Sequence, residues 1–451
     1  MPIKHSFLFI LLSLSYLTAF SQVQLSSPVS TLGFGKLADR DFAFVQAVGG
    51  TRASFHSPDQ LNLGNPASLA HLRTTVFSGG IFAERTNISD RGNDSKVWTG
   101  NVGYFSLGMP LQNEINALFD RQERKVKWGL NISLQPYNIT GYDFQSSQGL
   151  TNGDTINRSY EGDGSTYIVS ISNGWKYKNA SVGLTLGHLF GATMFEQAAA
   201  FPLDHAGSGY SFTTVESSKI NYRAFVWNLG FMYDVVFGRT ERADGTLGAP
   251  NKYLTLGLTF QSERPLKTET DRSIIRQNQR IRSVIGIDTL SVTNDVEGEG
   301  TLPSTINFGA SYVYKKLWRA GVNYERSAWS NFRNGEQSQT QDTKNAFRLS
   351  GGFAFTPNAS SITSYFDRVT YSVSGFYEKD PRVLNGNQLT NYGARVGFML
   401  PFVGQRQVSY LNLNIGYGRL GVSGGYTENY LTFGLGYSLT DNQWFIKRKY
   451  D

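Results

Sequence analysis

The chain has 451 residues, with 42 Lys and Arg against 35 Asp and Glu, 48 Gly, 14% aromatics and no Cys. The lack of Cys excludes disulfides and thiolate metal centres. A net charge of +7, spread over turns and loops, is too dilute for a nucleic-acid surface, the one dense cluster being Lys447-Arg448-Lys449.

Residues 1–21 read as a secretory signal. Lys4 and His5 precede an apolar run from Phe7 to Phe20, too short for the ~20 residues of a spanning helix, and Ala19-Phe20-Ser21 offers a cleavage site before Gln22. Residues 22–73 have no strand rhythm and are dense in Gly, Asn and Pro, which prescribe turns. Yet Phe34, Phe42, Phe44, Val45, Phe55, Leu61 and Leu69 are too apolar for a solvated leader and need something to pack against.

From Thr74 a period-2 ribbon recurs. Fourteen candidate strands lie near 74–84, 98–108, 126–135, 166–177, 180–189, 221–234, 251–262, 304–314, 318–326, 346–356, 368–378, 391–402, 408–417 and 429–439. Each is close to the ~9–11 residues that a tilted strand needs to cross a bilayer. The last is the clearest. Leu431, Phe433, Leu435 and Tyr437 fall on one face, and Thr432, Gly434, Gly436 and Ser438 on the other. A large apolar face toward lipid and a small or polar face toward a lumen is the pattern of a membrane barrel.

Connections alternate long and short. Gaps at 136–165, 190–220 and 263–303 read as long outer loops, and those at 178–179, 315–317 and 403–407 as tight periplasmic turns; Asn113 to Lys125 reads as a short periplasmic helix. Trp128, Tyr253, Trp318, Tyr233, Tyr312, Tyr314 and Tyr437 gather at strand ends on the short-turn side, where an interfacial belt belongs. Residues 440–451 read as a periplasmic tail. The expected fold is therefore all-β: a transmembrane antiparallel barrel of about fourteen strands over 74–439, with residues 22–73 as a lumenal plug.

Chemical motifs are sparse. The five His, at 5, 56, 71, 188 and 205, have no metal-ligand spacing, so neither a metal nor a cofactor is expected. No G-x-S-x-G elbow occurs, and His188 is the one plausible base for a wall-borne hydrolase, so no catalytic residue is assigned. Gly416, Gly418 and Gly421 match G-x-G-x-x-G but lack the following helix of a phosphate site. Asp295, Glu297 and Glu299 read as a solvated acidic loop rather than a calcium site.

Four places carry a resemblance to the FadL-type outer-membrane transporter family. Gly64-Asn65-Pro66-Ala67-Ser68-Leu69-Ala70 resembles its plug motif. Gly183 to Gly191 resembles a mid-barrel strand. Leu302-Pro303-Ser304, Phe308 to Tyr312, Trp318, Gly321 and Trp329-Ser330 resemble its central hairpin. The ending Trp444 to Asp451 departs from FadL itself and is similar to tails of FadL-related groups. The resemblance implies an outer-membrane location in a Gram-negative bacterium and contact with its lipid. It implies passage of small hydrophobic, fatty-acid-like molecules, with no ligand-binding residue transferable. The alternative is a PorV-like barrel that serves a secretion or assembly complex and meets protein partners through its long loops.

Overall fold

The computed structural model describes residues 27–39, 41–90, 92–111, 125–149, 155–200, 211–241, 247–280, 283–315, 317–335, 343–404, 407–422 and 424–441. The expected signal, most of the 113–125 helix and the tail beyond Asp441 lie outside them.

Strands occupy β1 (Lys36–Leu37), β2 (Thr75–Asp90), β3 (Asn93–Pro110), β4 (Val126–Gly149), β5 (Thr155–Tyr177), β6 (Ala180–Ala200), β7 (Ser211–Glu241), β8 (Leu247–Gln261), β9 (Arg264–Arg280), β10 (Ser283–Leu302), β11 (Thr305–Tyr314), β12 (Trp318–Ser327), β13 (Ala346–Phe355), β14 (Thr370–Leu384), β15 (Asn387–Gly404), β16 (Gln407–Gly421) and β17 (Thr427–Asp441). All pairings are antiparallel, and the sheet closes where Thr427 to Asp441 pair with Ser89 to Thr75. One half of β7 pairs with β8 and the other with β9, while β8 pairs directly with β11. Thus β8 and β9 are one stave broken at Ser262-Glu263, and β10 and β11 are one broken at Pro303-Ser304. The wall has fourteen staves, each containing one of the fourteen expected strands.

The connections depart from expectation. The gaps read as long loops are mostly strand: β4 and β5, β6 and β7, and β9 and β10 continue as paired hairpins well past the wall. Membrane-length counting stopped these strands too early, because ladder pairing continues after the apolar face has run out. The extension is one-sided. It rises from β4 to β10, whereas β11, β12 and β13 span ten residues each.

Each stave turns large apolar side chains outward, among them Ile81, Phe105, Ile132, Ile171, Leu186, Phe231, Leu256, Phe308, Val322, Val396 and Leu435. Burying such a band in lipid is worth roughly 25 cal/mol per Å². The inward face is small and polar, with Ser78, Ser106, Asn131, Ser170, Thr255, Ser311, Ser372 and Ser438 buried.

Candidate functional site

The inward face meets the chain's own residues 27–73. Phe34 packs among Tyr137, Tyr222, Trp329 and Phe332, and Phe42, Val45, Phe55, Leu61 and Leu69 form a second cluster with Val76 and Tyr104. Phe42 stacks on Tyr104 with ring centroids 3.9 Å apart.

The wall receives this segment on glycines. Gly129, Gly174, Gly183 and Gly230 are cross-strand partners in a continuous row over four staves, and Gly257–Gly309 and Gly321–Gly352 are further pairs. A Cβ at Gly129 would overlap Leu69, at Gly183 Ala67, at Gly230 Asn65, at Gly257 Ala53, and at Gly352 the Val48–Gly49 backbone. Only glycine lets two backbones approach this closely.

Asn65 is the pin of this contact. Its Oδ1 caps the 3-10 helix Pro66–His71 by accepting from Ala67 N at 3.0 Å, while its Nδ2 donates to Ala53 O at 2.6 Å and to Phe231 O at 3.1 Å. Pro66 begins the helix, where its missing N–H costs nothing. The Gly64 carbonyl accepts from Asn228 Nδ2 at 3.2 Å. Gly64, Asn65, Pro66 and Ala67 thus meet the β6–β8 wall as one unit.

At the short-turn end a polar cluster joins residues that sequence spacing did not connect. His56 and His71 stack with centroids 3.7 Å apart; His56 Nε2 lies 3.1 Å from Asp234 Oδ1 and from Thr255 Oγ1. Ligand atoms of His56, His71 and Asp234 lie within 4.8 Å of one another, so these residues could hold a divalent cation. The Lys176 ammonium already sits 2.6 Å from Asp234 Oδ2 and 3.3 Å from His71 Nδ1, so the carboxylate has its cation. Burial lowers the pKa of both imidazoles, that of His71 well below the ordinary range, with His56 and Lys176 adding to the effect.

Toward the other end lies a charged cavity of about 190 Å³. Arg52 reaches Asp41 at 2.8 Å and Glu325 at 3.0 Å, and Arg395 reaches Asp39 at 2.9 Å. Lys36 pairs with Glu84, and Arg382 grips Asp380 through two nitrogens. Burial alone would raise the Asp39 carboxyl, but Arg395, Arg348 and Arg52 hold it well below the usual range. Burial, helped by Asp39, raises Asp41 despite Arg52. Glu325 also lines two smaller cavities beside the segment.

Beside the cavity the wall parts. The β3–β4 ladder runs only from Phe105↔Leu134 to Pro110↔Gly129, although β3 pairs with β2 as far as Asn93. Beyond the break, β1 pairs with Asn138 and Ile139 of β4. Gly103, Tyr104 and Ile139 line the cavity there.

Other expected residues fall as follows. In the closing strand Phe433, Leu435 and Leu439 are exposed, Leu431 and Tyr437 half-buried, and Ser438 is inward, donating to Gln60 Oε1 at 2.9 Å. Tyr253 does not join an outward belt; it faces inward and stacks on His56, since it shares the face of Thr255 and Gly257. His188 stands on the outer face of β6 beside Phe190, with ring centroids 6.4 Å apart. Asp295, Glu297 and Glu299 lie along exposed β10 rather than in a loop. Gly416 and Gly418 lie within β16, and Gly421 ends it with no helix following.

No curated protein matches the chain. Among solved structures, the Pseudomonas putida toluene transporter TodX is similar at 16% identity and a TM-score of 0.52, covering 90% of this chain and 100% of that one. A Pseudomonas aeruginosa FadL homologue is similar at 12% identity and a TM-score of 0.53, covering 90% and 99%. The likeness is one of fold, that of an outer-membrane β-barrel. A family model described only as BamG matches residues 2–451, and the chain belongs to that family.

Proposed function

We propose that this protein is a partner-binding subunit of an assembly in the outer membrane of a Gram-negative bacterium, with residues 22–73 as a fixed plug and the hairpin extension on the outer side. The one-sided extension carries this reading. Crossing a bilayer takes ~9–11 residues per strand, whereas β7 runs for 31, and the excess is a folded sheet that offers surface to another protein. The plug supports the same reading. Its backbone sits on wall glycines, and the space beside it is lined by ion pairs that an apolar solute would have to desolvate.

A second reading, passage of small hydrophobic molecules, is favoured by the parting of β3 from β4 next to the cavity. The test is extraction from native membranes in mild detergent, alongside uptake of toluene by proteoliposomes. The partner reading expects a stoichiometric protein companion and no uptake above empty liposomes. A lone barrel that takes up toluene would reverse the order.

A further inference from the structure

We infer that the outer edge of β10, from Gly286 to Glu297, takes up an extended basic strand of a partner protein. The inference rests on the partner-binding reading above. One edge of β10 pairs with β9 from Ser283↔Arg280 down to Leu302↔Arg264. On the other edge, among the described residues, the pairing is the single bridge Thr301↔Arg333, with Gly298 and Gly300 covered by Gly335 and Arg333. From Gly286 to Glu297 the main-chain donors and acceptors of that edge face no strand among the described residues. Such an edge is a template for another chain unless charge, proline or cover blunts it. No Pro or Lys lies in β10; its acids and register shifts turn away an acidic or regular edge and leave a basic strand admissible. Its side chains are also available: Ile287 is 61% exposed, Val292 54%, and Leu290 and Val296 about half.

Charge selects the occupant. Between Ser283 and Leu302 the strand carries Asp288, Asp295, Glu297 and Glu299 and no basic residue; Asp288 and Glu299 stand opposite Arg276 and Lys267 of β9, so the selection falls to the exposed Asp295 and Glu297. A partner strand alternating apolar and basic residues would complement it, with backbone bonds giving affinity and side chains specificity. A second copy of this chain fits badly, because antiparallel self-pairing sets acid against acid. It would also have to match two irregularities, the register shifts at Thr289/Ser291 and Thr293/Val296.

The test uses the full-length protein in nanodiscs and three synthetic octapeptides: alternating Lys-Val, alternating Glu-Val, and a Lys-Val peptide of equal charge interrupted by Pro. The Lys-Val peptide should bind at least about tenfold tighter than the other two and slow amide exchange within residues 286–297. Leu290→Pro, at a register shift where the β9 ladder is already interrupted, should abolish both effects, and Ile287→Lys should weaken them by repulsion. Equal binding of the three peptides, or protection elsewhere, overturns the assignment. Native-membrane extraction separates it from the reading it rests on. A companion that survives Leu290→Pro and Ile287→Lys but is lost on deleting 268–299 keeps the partner reading and sinks the edge. Wild type extracted alone sinks the partner reading itself.

Discussion

Asn65 makes more of its side chain than any other residue of the segment, and its removal should be felt accordingly. Ala at this position deletes a helix cap and leaves the buried Ala53 carbonyl without the bond it accepts at 2.6 Å. Caps and buried bonds of this kind together are worth about 2–4 kcal/mol. Asn65→Ala should therefore lower the temperature at which the folded band is lost on electrophoresis, whereas exposed Asn87→Ala should not. The stacked imidazoles give a pH prediction. His56 and His71 have pKa values below the ordinary one in the folded chain. The unfolded imidazoles bind protons that the folded pair refuses, so stability is intact above about pH 6.5 and is lost as the pH falls below it. The groups facing the pair include Asp234, Lys176, Lys127, Arg319 and Tyr253, and all but Asp234 and neutral Tyr253 oppose a further positive charge. Protease cleavage within 27–73 should increase between about pH 7.5 and about pH 5, and less so in His71→Gln, which cannot titrate. Asn65-Pro66 was legible in the sequence because a cap followed by Pro is a local signal. The His56–His71–Asp234 cluster was not, since Asp234 arrives from a strand far away in the chain, and no spacing rule reaches that distance.

At the scale of the element, a strand's two faces have opposite tolerances. Leu435 is exposed on the outward face of β17, and Thr432 turns inward, where its hydroxyl reaches the Gly416 carbonyl. An Arg near the lipid midplane costs roughly 2–4 kcal/mol. Leu435→Arg should reduce assembled barrel in membranes sharply, and Thr432→Ser should leave it near wild type; similar losses would mean the faces are misassigned. The glycine row makes a sharper contrast. Gly230→Val drives a branched side chain into Asn65 and Pro66, whereas a Cβ at Gly375 meets only the Gly393 carbonyl at 3.5 Å. The expected outcome is a barrel that still assembles with Gly230→Val but whose 27–73 segment is open to protease, and no change with Gly375→Ala. The period-2 pattern revealed all fourteen staves because each buries one kind of face and exposes the other. It did not reveal the row of glycines, because the row runs across strands. Tyr253 was misread for a related reason: it opens a strand like its neighbours, but the parity it shares with Thr255 and Gly257 turns it inward.

On the scale of the whole molecule, the wall and the extension are separable. Beneath the hairpin β8 and β11 pair directly, from Thr305↔Gln261 to Tyr314↔Lys252, so the barrel closes without β9 and β10. Sequence reading treated 263–303 as a loop because its strands alternate polar with polar at many positions and show no lipid face. Their pairing is set by neighbours that the sequence alone does not name. Replacing 268–299 by a short Gly-Asn-Gly turn keeps Leu266 and Leu302, which are buried in the cluster around Phe34, and costs only the β9 partner of Ser211 to Tyr222, which lies outside the closed ring. The shortened protein should reach the membrane at near wild-type level and keep its heat resistance on electrophoresis, while losing the companion that the partner-binding reading expects on extraction. A tag placed at the hairpin tip, between Arg280 and Ser283, should be labelled on intact cells, because such barrels carry their long connections on the outer side. Labelling only after the outer membrane is opened would invert the topology. It would also turn the extension, and whatever it binds, toward the periplasm.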